Sequence, residues 1–152
     1  MKIVIGSDHR GFAVKARLLS LLQQLGHEVT DLGPEDGSSA DYPDYAFAVA
    51  ESVGSGKADR GILLCGTGIG MCIAANKVAN VRAAPCHDII TAELSRRHNN
   101  ANIICMSADM LGNELVEQMV DTWLRTEFEG GRHSRRVEKI IKFEQSAGGP
   151  NG

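Results

Sequence analysis

Residues Gly61–Lys77 read GILLCGTGIGMCIAANK. Gly61–Cys65 is a short apolar run bounded by glycine, the mark of a strand buried on both faces. Gly66, Gly68 and Gly70 then let the backbone bend sharply and approach another group closely. From Met71 to Lys77 small and apolar residues resume, and the stretch predicts a helix. A buried strand that turns through glycines into a helix is the repeating unit of a parallel sheet.

The same unit recurs on either side. Lys2–Gly6 (KIVIG) predicts a first strand, and Val14, Leu18, Leu21, Leu22 and Leu25 form an apolar stripe at helical period before Gly26. Glu28–Leu32 predicts a second strand and Gly33–Asp41 a polar loop, with Pro43 in the first turn of a second helix that runs to Val53. Arg82–Cys86 predicts a fourth strand, Asp88–Arg97 a helix capped by Asp88, and Asn102–Met106 a fifth strand. Helices over Asn113–Glu127 and Arg132–Glu144 follow. Residues 1–145 thus read as one domain and 146–152 as a flexible tail. The expected fold is α/β, a three-layer Rossmann-like sandwich with a five-stranded parallel sheet of order 2-1-3-4-5 and a C-terminal helix. With the first and third strands adjacent, Ser7–Arg10 and Gly66–Gly70 face one crevice at the carboxyl ends of the strands, where such sheets bind ligands.

Composition narrows the function. The 152-residue chain is 43% apolar with a net charge of −3, which argues against a nucleic-acid binder needing a basic face. No signal peptide and no apolar run of the length a bilayer needs are found, so neither a membrane nor nucleic acid is an expected partner and a cytoplasmic location is expected. Cys65, Cys72, Cys86 and Cys105 include no CxxC pair, which weakens zinc and thioredoxin-like readings and leaves reduced thiols as the expectation.

The crevice carries candidate chemistry. Gly66-Thr67-Gly68-Ile69-Gly70 can aim several backbone N–H groups at an oxyanion or phosphate, or can be a tight strand–helix turn. A dinucleotide fingerprint fits poorly, because the glycines follow the third strand and are spaced GxGxG. Cys65, against that loop, reads equally as a base or nucleophile and as a core cysteine. Asp8 and His9 read as a proton-carrying pair or as a cap with a surface histidine. His98 ends a helix, where a histidine commonly compensates the dipole. Arg132 and Arg136 share a helix face beside His133 and Arg135, as an anion site or as a solvated basic patch.

Five separated motifs, GSDHRGF, DYPDYA, LLCGTGIGMCIAANK, SRRHNNAN and FEGGRHSRRVEKI, together resemble the type B ribose-5-phosphate isomerases, whose relatives include galactose-6-phosphate and allose-6-phosphate isomerases. The resemblance spans residues 1–145 in order. It implies an aldose–ketose isomerase working through a cis-enediolate without metal or cofactor. It implies Cys65 as the base, since Met71 stands where some members carry a catalytic glutamate. It gives His98 to ring opening with Asp8 assisting, Thr67 to a hydroxyl proton relay, and Gly66, Thr67, Gly68, Ile69 and Gly70 to the enediolate oxygens. Tyr42 and Asn99 join Asp8 and His9 in binding the sugar, and His9, Arg132 and Arg136 bind the phosphate. It further implies a homodimer with shared sites, with pairing into a dimer of dimers as an extension.

One position departs from the pattern. Several relatives carry a phosphate-binding arginine in the turn after the fifth strand, where this chain has Asp109. The expected substrate pair is ribose 5-phosphate and ribulose 5-phosphate. The alternatives are a six-carbon phosphosugar, a non-catalytic small-molecule binding domain, and a flavodoxin-like redox or nucleotide-binding protein.

Overall fold

The computed structural model describes residues 1–147. Its elements are β1 (Lys2–Ser7), α1 (Phe12–Gln24), β2 (Glu28–Asp31), α2 (Tyr42–Gly54), β3 (Arg60–Cys65), α3 (Ile69–Ala75), β4 (Ala83–Pro85), α4 (Ile89–Asn99), β5 (Ile103–Ser107), α5 (Asn113–Arg125) and α6 (Arg132–Ala147). α6 therefore runs two residues into the stretch read as tail, and 148–152 lie outside the described residues.

All strand pairs are parallel, as the alternation of strands and helices requires. The order is β2-β1-β3-β5-β4, not the expected 2-1-3-4-5. The last two strands exchange places because their sequences suit different positions. Ile103–Ser107 is buried at every residue and sits inside the sheet beside β3. Ala83–Pro85 is short and only partly buried, and Pro85 has no N–H for a second neighbour. It takes the edge, paired with β5 alone.

The two faces of the sheet carry separate cores. On one, Leu18 and Leu22 of α1, Ala92 of α4 and Val116, Met119 and Trp123 of α5 pack on Ile3, Ile5, Ile62 and Ile104. The Trp123 indole N–H donates to Ser95 Oγ at 3.1 Å, so the largest buried side chain leaves no polar atom unpaired. On the other face, Ala46, Val49 and Ala50 of α2 and Met71 and Ala75 of α3 pack on Val4, Leu63, Cys65 and Cys105. Asp88 caps α4 as expected: its side chain accepts the Thr91 N–H at 2.6 Å in a capping box.

Candidate active site

β1 and β3 are neighbours, so their carboxyl ends place two turns side by side. Asp8 N–H donates to the Leu64 carbonyl at 3.1 Å, which extends the pairing into the first turn. Gly11 closes the approach: a Cβ there would lie 2.7 Å from Leu64 Cβ. Asp8 is buried, and its Oδ1 accepts the N–H groups of Arg10 at 2.9 Å and Gly11 at 3.1 Å. Asp8 does not cap α1, whose N-cap is Gly11 with no side-chain cap bond; its Oδ1 holds the turn ahead of the helix, and among the described residues Oδ2 has no hydrogen bond.

The second turn is shorter than the sequence suggested. α3 begins at Ile69 rather than Met71 and ends at Ala75, so Ile69 and Gly70 belong to its first turn and the loop proper is Gly66–Gly68. Gly68 adopts φ +78°, a left-handed conformation that side chains rarely take. That conformation turns its N–H onto Cys65 Sγ at 3.1 Å. The thiol is 4% exposed, at the last residue of β3, and it faces the loop as well as the core. The Thr67 hydroxyl accepts the Ile69 N–H at 3.3 Å.

The turn after β5 clamps the loop from the far side. Ala108 N–H donates to the Cys65 carbonyl at 2.8 Å, and Ser107 Oγ donates to the Gly66 carbonyl at 2.6 Å. Asp109 follows, and Arg10 Nε donates to its Oδ2 at 2.6 Å, so this acid is paired. From the α2 side, the Tyr42 ring covers Gly70: a Cβ there would lie 2.6 Å from Tyr42 Cζ. His9 Nδ1 accepts the Ala40 N–H at 3.3 Å, which ties the β1 turn to the segment leading into Tyr42. Asp8, His9, Tyr42, Cys65 and Gly66–Gly70 thus meet at one end of the sheet.

His98, Asn99, Arg132 and Arg136 do not join them within one chain. His98 and Asn99 end α4, before β5 begins, whereas Cys65 is in register with the last residue of β5, Ser107. The length of a five-residue strand, about 15 Å, separates the two groups along the sheet. His98 stacks on His133 with ring centroids 4.2 Å apart and an interplanar angle of 3°. Arg132 and Arg136 are exposed, and α6 turns His133 and Val137 inward instead. Burial, then the nearby His98 and Arg132, hold His133 below the usual imidazole range. Glu129 lies 4.0 Å from His98 Nε2 and 3.9 Å from His133 Nε2. A hydrogen bond from Arg97 holds the Glu129 carboxyl below its ordinary value.

Ligand atoms of His98, Glu129 and His133 lie within 4.8 Å of one another. Stacked imidazoles direct their lone pairs along parallel planes, however, so they cannot meet at one ion about 2 Å from each nitrogen. The remaining cysteines are core residues: burial pushes Cys86 up to about 11 and Cys105 well above the ordinary thiol range, whereas a hydrogen bond with Cys105 holds Cys72 below it. The sequence reading put Arg10 at the crevice and His133 beside Arg132, but it missed Glu129 and the pairings of Arg10 with Asp109 and of His133 with His98.

No helix among the described residues is long and apolar enough to cross a membrane. The profile of the family described as Ribose/Galactose Isomerase matches residues 3–140. Ribose-5-phosphate isomerase B of Escherichia coli (strain K12) is 46% identical over 144 residues, covering 95% of this chain and 97% of that protein. D-erythrulose-4-phosphate isomerase of Pectobacterium atrosepticum is 46% identical over 145 residues, covering 95% of each. The solved structure of Clostridium thermocellum ribose-5-phosphate isomerase B superposes with a TM-score of 0.94 at 49% identity, over 97% of this chain and 99% of that one. Family profile, sequence and backbone agree along nearly the whole length, and the chain belongs to the ribose/galactose isomerase family of aldose–ketose isomerases.

Proposed function

We propose that this isomerase interconverts ribose 5-phosphate and ribulose 5-phosphate through a cis-enediolate, with Cys65 as the base. The observation that carries the reading is the Gly68 N–H donated to Cys65 Sγ at 3.1 Å, at the rim of a loop of N–H donors. As a thiolate, Cys65 takes the proton from C2 of the open-chain aldose. The C2–H electron pair becomes the C1–C2 double bond, and the carbonyl pair moves onto O1. The O2 proton then passes to O1, with the Thr67 hydroxyl as relay, and Cys65 returns its proton to C1. Gly68 N–H is engaged with the sulfur and Ile69 N–H with the Thr67 hydroxyl, so the N–H groups of Gly66, Thr67 and Gly70 stabilise the enediolate.

Ring opening precedes this step. His98 carries the proton that leaves the anomeric hydroxyl and reaches O4 as the C1–O4 bond breaks, with Asp8 Oδ2 holding the ring hydroxyls. Tyr42 and Asn99 bind the sugar, and His9, Arg132 and Arg136 bind the phosphate. These residues lie at opposite ends of the sheet, so one complete site takes His98, Asn99, Arg132 and Arg136 from a second copy of the chain. A face suited to that copy flanks the edge strand β4. There a groove of about 860 Å³ is lined by Asn99, Pro85, Ile140 and Phe143, and Phe143 is 75% exposed. The homodimer is then the catalytic unit.

The test is turnover of ribose 5-phosphate, erythrulose 4-phosphate, allose 6-phosphate and free ribose side by side. Ribose 5-phosphate is expected to be preferred, and Cys65→Ala to lower kcat by about 10²–10⁴ with the fold intact. A Cys65→Ala variant that turns over normally removes the mechanism, and preference for another phosphosugar replaces the substrate but not the chemistry.

A further inference from the structure

Arg10 is a cation that neither the glycine loop nor the arginines of α6 account for. Its backbone is fixed by Asp8 Oδ1, which accepts its N–H at 2.9 Å. Its side chain leaves the β1 turn, crosses over β3 and ends on Asp109 in the turn after β5, with Nε 2.6 Å from Oδ2. The pair lies directly over the glycine loop. A Cβ on Gly66 would lie 2.9 Å from Asp109 Oδ2 and 3.2 Å from Arg10 Cδ.

One donor of the guanidinium is thereby used, and Nη1 and Nη2 have no hydrogen-bond partner among the described residues. The side chain is 55% exposed. An exposed ion pair contributes little to stability. A guanidinium tethered by Nε beside Gly66, with both terminal amino groups unpaired, can donate to two oxygens of one phosphate. Asp109 fixes that fork in place, and its own charge is matched.

We propose that Arg10 binds the phosphate of the substrate and that Asp109 is its positioning residue; this rests on the phosphosugar reading above. Arg10 selects phosphorylated over free sugars from the subunit that carries Cys65, beside His9. Asp109 makes the cation directional, so the acid in the turn after β5 serves phosphate binding through Arg10.

The probe is inorganic phosphate, measured by calorimetry and as a competitive inhibitor, beside KM and kcat for ribose 5-phosphate. Arg10→Ala is expected to weaken phosphate and to raise KM by about tenfold or more, the loss of a charge-assisted hydrogen bond. Its kcat stays within about threefold, because the interaction is made equally in ground and transition states. Arg10→Ala also leaves Asp109 as an unpaired carboxylate, so Arg10→Ala/Asp109→Ala is expected to recover part of the lost phosphate affinity. Unchanged phosphate affinity and KM in Arg10→Ala, or a double variant no better than the single one, overturns the assignment. If the wild type turns over no phosphosugar yet loses phosphate affinity with Arg10, the reaction falls and the anion site stands.

Discussion

Gly68 and Gly70 lie in one loop, and the same replacement by alanine should act on them in opposite ways. At Gly68 the backbone has φ +78°, and an alanine held there costs about 1–2 kcal/mol. Its Cβ would also lie 3.0 Å from the carbonyl carbon of Met106, in a fully buried strand that cannot move aside. Crowding of this kind adds about 1–3 kcal/mol, for a total of roughly 2–5 kcal/mol. In a chain of this size that lowers Tm by roughly 4–20 °C. The N–H on Cys65 Sγ is displaced with it, so kcat falls along with stability. At Gly70 the backbone is helical, and the obstacle is the Tyr42 ring, with Cζ 2.6 Å from the new Cβ. Tyr42 is 41% exposed, and its ring can swing outward. Stability should change by less than about 1 kcal/mol, since alanine favours the helix by a similar amount. The cost appears in KM, because Tyr42 leaves the crevice. Calorimetric unfolding and steady-state kinetics on both variants check the contrast. If Gly70→Ala loses as much Tm as Gly68→Ala, or if Gly68→Ala leaves Tm and kcat unchanged, the account of the loop is wrong.

Further outcomes follow from other contacts. Mixing inactive Cys65→Ala with inactive His98→Ala protein should restore about a quarter of wild-type activity: half of randomly exchanged two-fold dimers are mixed, and each has one intact site of two. No recovery after subunit exchange has been verified would remove the shared site. Lys15 is 1% exposed and donates to Asp31 Oδ1 and the Pro34 carbonyl, both at 2.7 Å. Lys15→Met leaves that carbonyl unpaired, and with Asp31 partly exposed the expected loss is about 1–3 kcal/mol in denaturant unfolding. His133 has a folded-state pKa below its unfolded value, so its contribution is complete above the unfolded value of 6.5 and is lost as pH falls from there through the folded value. Tm of the wild type should therefore drop across that acid window, and His133→Asn should flatten the slope. A wild-type profile that rises as pH falls through the window removes the argument.

Much of this was legible because strand and helix periods are local properties. Gly61–Cys65, Lys2–Gly6 and the Asp88 cap lie where hydrophobic spacing and a capping residue put them. Strand order is not local. Succession along the chain set β4 beside β3, and the structure reverses it through burial: Ile103–Ser107 can fill both faces of the sheet, while Ala83–Pro85 cannot. Pro85 was the available clue, since a proline within a strand points to an edge. The glycine spacing located the loop but not its end. Gly70 is spaced like a loop glycine, yet it lies inside α3, where it makes room for Tyr42. The Arg10–Asp109 pair joins residues 99 apart in the chain and belongs to no spacing pattern.

The exchange of β4 and β5 also bears on the site. With β5 inside, its last residues sit beside Cys65, and Ser107 and Asp109 brace Gly66 from the side opposite β1. With β4 outside, the edge that opens onto the Asn99 groove is short and incompletely buried. The order 2-1-3-4-5 would put β4 against Cys65 and leave the apolar β5 exposed as a long edge, a site of uncontrolled pairing. The observed order places the well-packed strand beside Cys65, the proposed base. It leaves the weak strand at the edge, where the proposed second copy would cover it and bring its His98 to the other subunit's thiol. The fold separates the two halves of the proposed site because β5, which holds one half rigid, must begin where α4 and its histidine end.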